Sequence, residues 1–111
     1  MKAPSIADLI DELEREVNNG EFDQFFFNSA GDFTQETIAA LECINAHHTA
    51  NLLKQAAMRF PKRMPSRNRF ERQEELESIS EGFGDLDNTF YEYTDDISGL
   101  LKQYQSTDSK T

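Results

Sequence analysis

The chain has 111 residues, 37% of them hydrophobic, with nine Phe and a mean hydropathy of −0.71. That is enough for one small, aromatic-rich domain with a heavily solvated surface, and it excludes wholesale disorder. A formal net charge of −10 repels phosphates, so direct nucleic-acid binding is not expected, whereas basic protein surfaces are attracted.

The first expected element is a helix over Ser5–Asn19. Ile6, Leu9, Ile10, Leu13 and Val17 recur there at helical spacing. Ser5 and Asp8 have the spacing of a capping pair, and Asn19-Gly20 supplies a left-handed stop. A short aromatic helix follows over Glu21–Asn28. It presents Phe22, Phe25 and Phe26 on one face, while Phe27 points elsewhere and must meet a second surface.

A third helix begins near Thr34 with Thr37, Ala40, Leu41 and Ile44 inward, and a fourth runs from Thr49 to Phe60, stopped by Pro61. Its apolar face is Leu52, Leu53, Ala56, Ala57 and Phe60. Lys62–Asn68 reads as an exposed basic loop, and a fifth helix spans Arg69–Ser80. After the Glu81-Gly82-Phe83-Gly84 break, Phe83, Leu86, Phe90 and Tyr93, then Ile97, Leu100, Leu101 and Tyr104, mark two more short helices. No stretch alternates with the period of a strand. The fold class is therefore all-α: a single compact domain of six or seven short helices over residues 5–104, between tails at 1–4 and 105–111. Leu9, Leu13, Phe22, Phe25, Phe26, Leu41, Leu53, Phe60, Phe90, Leu100 and Leu101 are its expected core.

No stretch approaches the ~20 apolar residues of a membrane span, and no secretory leader pattern opens the chain. Cys43 is the sole cysteine, which agrees with a reducing compartment. It lies in an Ala/Leu/Ile-rich segment and is expected to be buried. A cytoplasmic protein without membrane contact follows.

Catalytic and metal chemistry find little footing. His47 and His48 are adjacent and point ~100° apart on a helix, so they cannot form an i, i+4 metal pair. Cys43 has no local signature of a nucleophile, and no glycine-rich phosphate loop occurs. The chain is expected to be no enzyme, with no catalytic residue, no metal site and no cofactor.

The strongest functional signal is acidic. Charge runs in blocks of −8, +6 and −8 over residues 1–45, 46–70 and 71–111. On the first helix Asp8, Asp11, Glu12, Glu14 and Glu16 cover the polar face, interrupted only by Arg15, although like charges at i, i+4 cost helix stability. Glu74, Glu77 and Glu81 continue the pattern in the fifth helix and just beyond it. Carboxylates one turn apart lie ~5–6 Å apart, comparable with one phosphate per ~3.4 Å of a DNA strand. Asp8, Asp11, Glu12, Glu16, Glu74, Glu77 and Glu81 are therefore the expected partner-binding residues. Asp85, Asp95 and Asp96 read as helix caps. The basic residues Arg59, Lys62, Arg63, Arg67, Arg69 and Arg72 read as pairing with carboxylates within or between subunits.

The run Glu16-Val17-Asn18-Asn19-Gly20-Glu21-Phe22-Asp23-Gln24-Phe25-Phe26-Phe27-Asn28 resembles the signature of the bacterial DNA-mimic protein family. The resemblance continues through Ala39-Ala40-Leu41, the helix ending at Pro61, and Leu86-Asp87-Asn88-Thr89-Phe90-Tyr91, and covers roughly residues 8–104. The family commonly has a second Gly where this chain has Glu21, and Gly-Ala where it has Ala46-His47. The resemblance implies a compact helical homodimer whose acidic surface imitates duplex DNA and occupies the DNA-binding face of a basic protein such as a transcription factor. An immunity-type inhibitor of a basic toxin, or a helical adaptor without nucleic-acid connection, would use the same charge.

Overall fold

The computed structural model describes residues 4–109, so positions 1–3 and 110–111 of the expected tails lie outside the described residues. Six α-helices and one 3₁₀ turn make an all-α domain with no strand among the described residues. They are α1 (Ile6–Phe27), a 3₁₀ turn (Ser29–Phe33), α2 (Thr34–Cys43), α3 (His47–Ala57), α4 (Arg69–Glu77), α5 (Gly84–Tyr91) and α6 (Ile97–Ser109). None is long and apolar enough to cross a membrane. The last helix reaches Ser109 and so carries regular structure into the segment read as a polar tail.

Helix α1 joins the first two expected helices across a break. Its start is the expected capping box, in which the Asp8 amide donates to Ser5 Oγ at 3.1 Å and the Ser5 amide to Asp8 Oδ2 at 3.4 Å. The break falls at Gly20 and Glu21, but the left-handed residue is Glu21, with φ 67° and ψ −171°, whereas Gly20 has φ −156°. The sequence therefore places its glycine one residue before the position that needs it. Beyond the break the axis turns, and Phe22, Phe25 and Phe26 enter the core completely. Phe26 sits at the centre of the aromatic cluster, with ring centroids 5.3 Å from Phe25, 4.9 Å from Phe60 and 5.4 Å from Phe83. Phe90 closes edge-on against Phe22 at 5.7 Å.

Two expectations for the core are corrected. Cys43 is exposed, because α2 turns Thr34, Thr37, Ile38, Ala40, Leu41 and Ile44 inward and position 43 falls outside that arc. Apolar composition suggested burial there and helical periodicity overrides it. Leu100 and Leu101 are only half-buried, since α6 lies at the edge of the domain between two surface hollows. One hollow is bounded by Cys43, Ile44 and Asn45, the other by Ser5, Ile6 and Ala7.

Arg72, read from sequence as one of a basic group that pairs with carboxylates, does pair with Asp32 but is 0% exposed and hydrogen-bonds mostly backbone carbonyls. Its Nε donates to Phe26 O at 2.6 Å, and its Nη1 to Ser66 O at 2.9 Å and Arg67 O at 3.3 Å. Its Nη2 donates to Asn28 O at 2.9 Å and Asp32 Oδ1 at 2.7 Å. One guanidinium thus fastens the end of α1, the 3₁₀ turn, the basic loop and α4 together. Gly31 leaves the space, as a Cβ there would lie 2.6 Å from Arg72 Nε and 3.0 Å from Phe25 O.

Two outcomes follow. Arg72→Met removes donors to the Phe26, Asn28, Ser66 and Arg67 carbonyls and to Asp32, and should cost ~3–5 kcal/mol in urea unfolding. Glu21→Gly should raise stability by ~1 kcal/mol in the same assay, because Glu21 holds a conformation that suits glycine almost alone.

Candidate functional site

The polar side of α1 follows from its apolar stripe. With Leu9, Ile10, Leu13 and Val17 buried, Asp8, Glu12 and Glu16 fall in one row at i, i+4 and i+8 beside the stripe, Glu14 flanks its other edge, and Asp11 lies on the outer face. The two flanks meet different neighbours. Asp8 and Glu12 adjoin Ser29, Ala30, Phe33 and Thr37, whereas Glu14 accepts a hydrogen bond from the Tyr93 hydroxyl at 3.1 Å. Burial raises the Glu14 pKa, partly opposed by that hydrogen bond.

Several acids have structural work. Asp8 completes its capping box and Glu12 pairs with Arg15. Glu16 accepts from Gln24 Nε2 at 2.5 Å and Asn28 Nδ2 at 3.2 Å, bracing the two halves of α1 across the break. Glu81 lies 3.9 Å from Arg59 Nε. Asp11, Glu74 and Glu77 make no hydrogen bond or ion pair among the described residues, and all three are exposed. Of the seven carboxylates expected to meet a partner, these three have side chains without a hydrogen bond or ion pair among the described residues.

Other carboxylates turn inward and correct the sequence reading. Asp85 does not cap α5. It grips Arg59 in a two-pronged pair, with Nη1–Oδ1 at 2.9 Å and Nη2–Oδ2 at 2.8 Å, and that hydrogen bonding lowers its pKa. Asp95 caps α3 rather than its own helix, accepting from the Thr49 amide at 2.7 Å and the Thr49 hydroxyl at 2.9 Å. Asp96 does cap α6, accepting from the Gly99 amide at 3.2 Å. Asp87 is buried and accepts from the Phe22 amide at 2.9 Å. It thereby satisfies a donor left without its helical acceptor by the break in α1.

Burial, with Glu21, Asp23 and Asp85 nearby, raises the Asp87 pKa to about 6 against the opposing Phe22 hydrogen bond.

The basic residues are largely spent inside the molecule. Arg59 also donates to Gly82 O at 2.6 Å and lies over the Phe83 ring. Arg67 pairs with Glu36 at 2.8 Å and reaches Gln35 at 3.1 Å. Lys62 lies 4.0 Å from Glu71. His47 is the exposed first residue of α3, and His48 Nε2 is buried without a hydrogen-bond partner.

A groove of about 470 Å³ lies between α1 and α4, lined by Gly20, Asp23, Gln24, Phe27, Asn28 and Leu76; Asp23 is the carboxylate in its lining, and none of the seven expected partner-binding carboxylates is among these residues. Glu16 reaches this groove through Gln24 and Asn28. Glu77 follows Leu76 on α4, one turn beyond Gln73, whose Nε2 donates to Phe27 O at 2.9 Å. Glu81 stands apart with Arg59. Asp23 was not among the expected partner-binding residues, and Phe27 was read only as pointing away from Phe22, Phe25 and Phe26 toward a second surface, which agrees with its 53% exposure. The signal that could have found Asp23 is its helical offset from Phe22, Phe25 and Phe26.

Asp87 gives a test with a definite sign. Its folded pKa exceeds the ordinary carboxylate value, so its neutral form favours folding and its contribution is lost as pH rises from about 4 through about 6. Asp87→Asn keeps an acceptor for the Phe22 amide without titrating. Its stability relative to the native chain should therefore improve steadily from pH 4 to 7, as read by urea unfolding at each pH.

A family model described as DMP19-like protein matches residues 6–108. No curated protein and no solved structure matches the chain.

Proposed function

The chain belongs to the DMP19-like protein family, and from this we propose that it is a non-catalytic acidic protein of the cytoplasm that acts as a DNA mimic. It occupies the DNA-binding surface of a basic protein such as a transcription factor. The observation that carries the reading is the outward set of Asp11, Glu74 and Glu77 on two helices, exposed and without a side-chain hydrogen bond or ion pair among the described residues. Asp8, Glu12 and Glu16 add a row spaced ~6 Å per turn, a charge density of the same order as the one phosphate per ~3.4 Å of a DNA strand. The family is one of DNA mimics, and the resemblance read from the aromatic motif points the same way. We further infer a homodimer, in which a two-fold axis would lengthen the acidic surface toward that of a duplex.

Asp11, Glu74 and Glu77 can be neutralised without touching an internal contact. The triple variant Asp11→Asn, Glu74→Gln, Glu77→Gln should unfold like the native chain. It should associate about tenfold more slowly with a basic DNA-binding protein recovered from host lysate at low salt. Duplex DNA should displace the native chain from that protein, and binding should weaken with salt. Unchanged association together with simultaneous DNA binding would overturn the mimic reading. Competition by a nuclease active-site ligand instead would favour a toxin inhibitor.

A further inference from the structure

Phe27 is the residue of the aromatic run that the fold leaves in water. Phe22, Phe25 and Phe26 are fully enclosed, while Phe27 is 53% exposed. Its ring is no isolated surface residue. It lines the α1–α4 groove with the half-buried Leu76, so two apolar side chains from different helices share one open depression. Asp23 stands in the wall, Glu16 hydrogen-bonds the lining residues Gln24 and Asn28, and Glu77 follows Leu76 in sequence at the end of α4. The Asp23 side chain has no hydrogen bond or ion pair among the described residues, so the groove carries negative charge that the chain itself does not neutralise. A surface imitating phosphates by charge alone requires no apolar floor.

We propose that this groove receives a cationic amphipathic segment of the partner protein, with an apolar side chain seated against Phe27 and Leu76 and its lysines or arginines facing Glu16, Asp23 and Glu77. The proposal rests on the basic-partner reading above and adds a source of selectivity to it. Charge governs the rate of encounter with many cationic surfaces, whereas an apolar anchor distinguishes among them by the rate of release.

Two labelled peptides provide the test: a helical peptide of lysine and leucine, and its counterpart with serine in place of leucine. The native chain should bind the leucine peptide about tenfold more tightly, as expected for partial burial of one leucine. Phe27→Ala should bring the two affinities together while leaving that for the serine peptide unchanged. Phe70→Ala is the control, since Phe70 is 76% exposed but lies outside the groove. It should keep the native preference. Equal binding of both peptides by the native chain, lost at high salt, would overturn the groove and leave the basic-partner reading standing. Absence of binding to either peptide would overturn both. A preference that survives Phe27→Ala, or that Phe70→Ala also removes, would assign it to general apolar contact and sink the proposal. Native self-association in sedimentation that Phe27→Ala abolishes would put a second copy in the groove and overturn it as well.

Discussion

The fold depends on an arginine placed where no water can reach it. Arg72 hydrogen-bonds four backbone carbonyls and one carboxylate drawn from α1, the loop before α4 and the 3₁₀ turn. A guanidinium out of water is costly unless its donors are occupied, and here all three nitrogens find acceptors. The same contacts satisfy Phe26 and Asn28 carbonyls at the end of α1, where helical bonding runs out. The aromatic cluster, the glycine at position 31 and the entry of α4 are arranged around this one requirement. Because α4 is fixed by it, the groove between α1 and α4 has its shape from the same source.

Much of the architecture was legible in the sequence. The helical periods of Leu9 to Val17 and of Leu52 to Phe60, the Ser5 cap and the stop near Pro61 are all local signals; α1 starts where they put it, whereas α3 spans His47–Ala57 rather than Thr49–Phe60, starting and ending earlier than expected. What escaped was almost entirely nonlocal. Asp87 holds Phe22 across 65 positions, and Asp95 holds Thr49 across 46. A carboxylate capping a distant helix has the same composition and neighbours as one facing solvent, so sequence cannot tell them apart. Arg72 was obscured similarly, since its acceptors are backbone carbonyls and carry no residue signature. Glu21 was partly legible: a stop was expected at Asn19-Gly20, yet the exceptional dihedral angles fell on the next residue.

The acidic character resolves into two populations. Asp85, Asp87 and Asp95 close ion pairs and helix ends, and Glu14 and Glu16 fasten α1 to side chains around it. Asp11, Asp23, Glu74 and Glu77 stand clear of such contacts among the described residues. Net charge alone hides this distinction, and the sequence signal from the first helix mixed both kinds. The internal groups also pull in opposite directions with pH. Asp85 is held ionised by Arg59, while Asp87 is driven toward its neutral form by burial, so acid weakens one link as it relieves the other.

The separation of the two populations bears on how such a chain can change over generations. Substitutions at Asp11, Glu74 or Glu77 leave the helix caps and the arginine lattice intact, so the exterior can be rewritten while the scaffold persists. Lineages could then redistribute their surface charge through single replacements, each nearly silent for folding. An alteration at Asp87 or Asp95 would meet selection first as a defect in the scaffold. The architecture thus confines evolutionary exploration to exposed carboxylates that no fold contact employs.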